Sequence, residues 1–153
     1  MEQETKLDPQ YIIGIPGVDL QHNDLIQKCD ELLDHLEKEK SSNDFILTSI
    51  QNIIEELRAH FDTEQVLMDM IDFPGKDKHK SGHDELLGIL IKRPELFMKR
   101  TIDEIKNIIS AFRDSYLAHI LDFDRGYAIH IENLMNIKQK HSITVLKAQS
   151  IVK

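Results

Sequence analysis

The chain reads as an all-α protein: an up-down-up-down antiparallel four-helix bundle with an N-terminal arm and a C-terminal extension. Three observations predict this. Apolar residues recur at the three- and four-residue spacing of an amphipathic helix in four consecutive segments. Breakers are scarce, with six glycines and four prolines, most of them in the first 18 residues, around Phe73-Pro74-Gly75 and at Pro94. The connections between segments are mostly short, so neighbouring helices are expected to run antiparallel.

Residues 1–18 are expected to form an irregular arm. Pro9, Gly14, Pro16 and Gly17 prevent a long helix there, while Tyr11, Ile12, Ile13 and Ile15 give the arm apolar surface to dock. Asp19 is the expected N-cap of a first helix reaching about residue 38. Its stripe is Leu25, Cys29, Leu32, Leu33 and Leu36, and His22 extends that stripe one turn back. Ser41, Ser42 and Asn43 supply a short connection with cap candidates. The second helix, about 44–71, carries Ile46, Ile50, Ile53, Ile54, Leu57, Phe61, Leu67 and Met68, with His60 and Glu64 inside the stripe. Phe73-Pro74-Gly75 ends it. A third helix, about 76–91, groups His79, His83, Leu86, Leu87 and Leu90, and Pro94 marks the next break. The fourth starts near Ile102 and shows Ile105, Ile109, Phe112, Tyr116, His119 and Phe123. The bundle is assigned to 19–124 and the extension to 125–153. In the extension, Ile129, Leu134, Ile137, Val145 and Leu146 allow an amphipathic helix that extends helix four, covers the bundle end or contacts a partner.

At 153 residues the chain is expected to be one domain, long enough to bury a core without staples. A net charge of −8 argues against nucleic acid and anionic membranes, which need a basic face. Cys29 is the only cysteine, which excludes an internal disulfide and a cysteine-based zinc site. No apolar run approaches the roughly 20 residues of a membrane span. The opening Met-Glu-Gln-Glu-Thr-Lys lacks the apolar stretch of a signal peptide, so a soluble, cytoplasmic protein is expected.

Seven side chains able to bind metal interrupt stripes that otherwise show only apolar residues: His22, His60, Glu64, His79, His83, His119 and Asp124. Buried without partners, such groups cost on the order of several kcal/mol each. A metal cluster is the simplest compensation. His60 and Glu64 are four apart, as are His79 and His83, which puts each pair on one helix face. His119 and Asp124 are five apart, about 140° around a regular helix, which suits a carboxylate bridging toward a second ion or a local π-bulge. One such pair is commonplace; the coincidence of all three with His22 on core stripes is what points to metal.

Ligand counting sharpens this. Five imidazoles give five donor atoms and two bridging carboxylates give four, making nine. A bridging solvent oxygen counts once for each ion and makes eleven, against the twelve that two octahedral ions need. Mixed imidazole and carboxylate ligation suits iron, with manganese or zinc behind. Seven convergent groups are too many for one tetrahedral zinc. His35, His130 and His141 stand outside the pattern.

These residues resemble the hemerythrin family, specifically the single-domain bacterial hemerythrins. The likeness runs from about Leu7 to Tyr127. It rests on Gly17-Val18-Asp19-Leu20-Gln21-His22, on His60-Phe61-Asp62-Thr63-Glu64-Gln65 followed by Met68, on His79 and His83, and on His119-Ile120 with Asp124. The resemblance implies two iron ions with a bridging oxygen, and reversible binding of O2. It implies that His79, His83 and His119 ligate one iron, that His22 and His60 ligate the other, and that Glu64 and Asp124 bridge. O2 would land on the iron held by His22 and His60, with Tyr116 and Ile120 at the wall of its pocket. In the family, O2 uptake leaves the net charge of the cluster unchanged, so no large solvation cost opposes binding or release in a dry core. The chain departs from the family in having no tryptophan: the usual Trp-Leu pair before the last histidine is Ser115-Tyr116 here.

Three function classes follow. The first is an O2-binding protein for storage, delivery or scavenging. The second is an O2 or redox sensor acting through a partner. The third is a di-iron enzyme reducing NO or peroxide, with Tyr116 as a source of a proton or radical. A pocket without general acids favours carriage over turnover. A ferritin-like oxidase is disfavoured, because that class uses Glu-x-x-His pairs and none occurs here.

Overall fold

The computed structural model describes residues 6–38, 41–90 and 94–151. It is helical throughout, with no strand among the described residues. Five α-helices carry the fold: α1 (Pro16–Lys38), α2 (Asn43–Met70), α3 (Lys76–Leu90), α4 (Ile102–His119) and α5 (Arg125–Ile151). Short 3-10 turns occupy Pro9–Tyr11 and Pro94–Lys99, and a π-helical turn, Ile120–Asp124, joins α4 to α5.

Helices α1 to α4 pack as a ring, α1 against α2 and α4, and α3 against α2 and α4. Their stripes meet in one core. Leu25, Cys29 and Leu32 of α1, Ile50, Ile53 and Leu57 of α2, Leu90 of α3, and Ile109 and Phe112 of α4 are all sealed from solvent. Each such aliphatic or aromatic side chain contributes about 1.5–3 kcal/mol by leaving water. Leu33, Leu67 and Leu87 are only half-buried, because they lie at the margins of their stripes. Leu7 joins the core, and Tyr11, Ile12 and Ile13 pack against it, so the arm docks. The expected third helix reached Ile91, which lies outside the described residues.

The helix ends follow local chemistry. The Ser42 side chain accepts from the Phe45 N–H and caps α2. Thr101 and Glu104 form a reciprocal capping box at the start of α4. Asp19 is not the cap of α1. The helix already begins at Pro16, whose fixed φ and missing N–H suit a first turn. Asp19 lies inside that turn and accepts the N–H groups of Ile13 (2.9 Å) and Gly14 (3.1 Å). Its carboxylate therefore folds the arm onto the helix, with Gly14 supplying the positive φ (85°) that the bend requires.

Helix α2 ends in a Schellman motif. The Phe73 N–H reaches Met68 O (2.9 Å) and the Asp72 N–H reaches Asp69 O (3.2 Å). Asp72 holds the left-handed position at φ 48°. Asp72→Gly is expected to raise stability by about 0.5–1 kcal/mol, because glycine occupies that region without the Cβ clash. Urea denaturation checks this; an unchanged or lower midpoint counts against it.

The extension prolongs the α4 line through the π turn instead of folding back over the bundle. Beyond Tyr127 it makes no substantial packing with α1 to α4, and Met135, Ile137, Ile143 and Leu146 are exposed. No helix is long and apolar enough to cross a membrane, among the described residues.

Candidate metal centre

The seven interrupting side chains converge. Their ligand atoms form two overlapping groups, Glu64, His79, His83, His119 and Asp124 in one, and His22, His60, Glu64 and Asp124 in the other, each within 4.8 Å across. Glu64 and Asp124 belong to both. All seven are buried.

The backbone explains the convergence. His60 and Glu64 share a face of α2, and His79 and His83 share one of α3, one turn apart each. The five-residue step from His119 to Asp124 spans the π turn, whose i→i+5 bond runs from the Arg125 N–H to Ile120 O. The extra residue absorbs the angular mismatch of a regular helix, so Asp124 falls in line with His119.

Glu64 Oε2 faces His83 Nε2 at 2.9 Å, His60 Nε2 at 3.4 Å and His79 Nε2 at 3.5 Å. Asp124 Oδ1 faces the Nε2 atoms of His79 and His119 at 3.1 Å each, and Oδ2 faces His22 Nε2 at 2.9 Å. His79 and His119 turn their Nε2 atoms toward each other at 3.3 Å, where at most one can donate. Atoms bound at about 2.1 Å to one ion stand about 3.0 Å apart in an octahedron and about 3.4 Å in a tetrahedron. The spacing is therefore one that donors around a shared cation could adopt.

Hydrogen-bond accounting points the same way. Among the described residues, the buried side-chain atoms without a partner are both ring nitrogens of His22, His60 Nε2, His79 Nδ1, both Asp124 oxygens and Tyr116 Oη. Six of these seven atoms belong to the cluster, and Tyr116 adjoins it. Each orphaned group costs about 1–3 kcal/mol. A cation compensates His22 Nε2, His60 Nε2 and the two Asp124 oxygens together, so the donor set fits a metal, while Nδ1 of His22 and of His79 lies on the far side of its ring.

Charge tells a consistent story. Burial and the Asp124 charge push the Glu64 carboxyl up, but hydrogen bonds from His79 and His83 outweigh them and hold it at about 2. Burial likewise opposes ionisation of Asp124, yet His119, His22 and His79 hold it well below the usual carboxylate range. Burial lowers His60 to about 4, leaving it neutral near pH 7. Burial also disfavours a charged His79, but Asp124 and Glu64 beside it overcome that and raise it to about 9. Two buried carboxylates thus draw positive charge into the site.

Side chains around the cluster orient it. His60 Nδ1 donates to Gln21 Oε1 (2.8 Å), whose Nε2 donates to Thr63 Oγ1 (3.3 Å). This fixes the His60 tautomer and leaves its Nε2 lone pair toward the cluster. Phe61 stacks on His83, ring centroids 3.7 Å apart, and Phe123 stacks on His119 at 4.9 Å. Tyr127 Oη donates to Glu64 Oε1 at 2.7 Å. Neither Gln21, quoted only within the Gly17–His22 stretch, nor Tyr127 was given a role from sequence. Tyr127 carried a signal, since it follows Asp124 by three and so shares its face.

Tyr116 and Ile120 are both sealed from solvent. The Tyr116 ring stands edge-on to His22 (5.8 Å) and His60 (6.0 Å). Burial, then the charges of Asp124 and Glu64, push its phenol well above the usual range, so it remains protonated. The remaining histidines lie elsewhere: His35 against Phe45, His130 against Phe73, and His141 exposed on α5.

Gly82 permits the close approach of α3 to α4. A Cβ there would lie 3.1 Å from Cε1 and Nδ1 of His119. Gly82→Ala is expected to displace that ring and destabilise the protein by about 1–3 kcal/mol, the range for overpacking. Thermal melts and metal titration check this; parental values in both would show that the helices part freely.

Compared with known proteins, the chain matches no family model, no curated protein and no solved structure.

Proposed function

We propose that this chain is a non-haem di-iron protein of the hemerythrin kind, binding O2 reversibly for storage, delivery or scavenging. The carrying observation is the pair of donor groups that share Glu64 and Asp124, a pattern expected of two neighbouring ions bridged by two carboxylates. In this reading His79, His83 and His119 hold one iron, His22 and His60 hold the other, and the four bundle helices run up-down-up-down. The direction is supported by where the polar positions fall. They lie early in α1 and α3 but late in α2 and α4, so alternating directions bring them to one end.

Iron, when bound, supplies reversible electron transfer to a small diatomic ligand. The chain does the rest. Tyr116 stands edge-on to His22 and His60 with Phe112 stacked on it, and these two and Ile120 are sealed from solvent. The Gln21 hydrogen bond holds the His60 ring in place. Among the described residues the one buried carboxylate besides the two shared groups is Asp19, which is taken up by the N–H groups of Ile13 and Gly14, and this favours carriage over turnover.

The test is metal analysis, with two irons per chain expected, followed by stopped-flow mixing of the di-ferrous protein with O2 and then deoxygenation. Full recovery over cycles is expected; one ion per chain, preferred zinc, or a single irreversible turnover counts against the proposal. The last outcome would favour a second reading, reduction of NO or peroxide, which the unpartnered Tyr116 hydroxyl supports. A hydrogen bond from that hydroxyl to a charged acceptor is worth about 1.5–3 kcal/mol. Tyr116→Phe is accordingly expected to speed O2 release roughly ten- to a hundredfold, about 1.4 kcal/mol being tenfold. Parental release and autoxidation rates in that variant would make the hydroxyl a bystander.

A further inference from the structure

We infer that Tyr127 is a positioning residue for the metal centre, fixing which oxygen of Glu64 faces which imidazoles. This rests on the metal-centre reading above. A glutamate carboxylate turns easily about its last torsion, whose profile is broad and roughly two-fold. Its two oxygens are interchangeable unless something distinguishes them.

Here they are distinguished. Oε2 faces the Nε2 atoms of His83, His60 and His79 within 3.5 Å. Oε1 receives the Tyr127 hydroxyl at 2.7 Å and has only His22 Nε2 beyond it, at 3.9 Å. The phenol therefore ties down one oxygen and draws electron density from it, leaving the other as the richer donor. Both groups are sealed from solvent, so no water competes for the bond. The Tyr127 ring is itself held, tilted against His79 at 5.6 Å and edge-on to Phe73 at 6.5 Å. Its place in the chain is set by the π turn: Asp124 aligns with His119, and Tyr127 follows three residues later on the same face. One strip of helix thus supplies two proposed ligands and the group that orients a third ligand on α2.

The probe is Co(II), titrated into the full chain and followed by its visible bands. Tyr127→Phe removes the hydroxyl and keeps the ring. It is expected to weaken Co(II) binding about 10- to 100-fold, the usual loss for a partner behind a ligand, and to shift the bands. Phe73→Leu, which loosens the same ring but spares the hydroxyl, is expected to keep the parental affinity and bands. Parental binding in Tyr127→Phe overturns the inference, as does an equal loss in Phe73→Leu. A Tyr127→Phe chain short of parental helix content by circular dichroism also overturns it, because the hydroxyl would then serve the fold. If the parent chain itself takes up no Co(II), the metal-centre reading fails, and the inference with it.

Discussion

Stripping metal from the protein is expected to lower its melting temperature by about 8–16 °C and to increase binding of a hydrophobic dye. The magnitude follows from linkage. A ligand at a thousand times its Kd stabilises the folded state by about 4 kcal/mol, and each kcal/mol is worth about 2–4 °C for a chain of this size. The sign follows from the core. Four of the unpartnered atoms, His22 Nε2, His60 Nε2 and the two Asp124 oxygens, lie on the inner side of the cluster, and a cation is the partner that satisfies them. Proton release gives an independent check. Without metal, His79 is held protonated by Asp124 and Glu64, with its pKa raised to about 9. A cation must displace that proton, so loading at pH 7 should acidify an unbuffered solution. Below pH 7 the proton competes more strongly and apparent affinity should fall. Equal melting temperatures with and without metal would mean that the cluster is satisfied by its own hydrogen bonds.

The four core helices and the seven cluster residues were legible because both signals are periodic. A histidine four residues from a glutamate inside an aliphatic stripe carries its direction in its spacing, and His60 and Glu64 point where that spacing sends them. The π turn was only one of two options, since a five-residue step from His119 to Asp124 does not itself say whether the backbone or the coordination absorbs the mismatch. Asp19 was misread as a cap because an acidic residue ahead of an apolar stripe is a common helix start. The true start was set by Pro16, and Asp19 was recruited to the arm by Gly14. Gln21 and Tyr127 were missed for another reason. They act on ligands, and their partners lie 39 and 63 residues away in sequence. The three-residue step from Asp124 puts Tyr127 on the right face but does not name its partner, and only packing brings each pair together.

Glu64→Ala is expected to cost the metal-loaded protein far more than it costs the metal-free one. Glu64 belongs to both donor groups, and its oxygens lie within 3.9 Å of four imidazole nitrogens. Removing it takes an anionic ligand from both proposed ions, so affinity should fall by more than about 100-fold, the upper end for residues that only support a ligand. At least one ion per chain should be lost. Without metal the balance differs. Glu64 and Asp124 are two buried carboxylates that repel each other, each disfavouring the other's charge. Deleting one relieves that repulsion, which offsets part of the cost of losing the hydrogen bonds from His83 and Tyr127. His35→Ala serves as the comparison, since His35 packs against Phe45, outside both donor groups, and its loss should leave metal content unchanged. Metal analysis and paired melts of both variants, loaded and stripped, separate the cases. A residue that merely supports the fold would destabilise both forms alike, whereas a shared ligand destabilises the loaded form selectively. Equal metal content in the two variants would remove Glu64 from the centre.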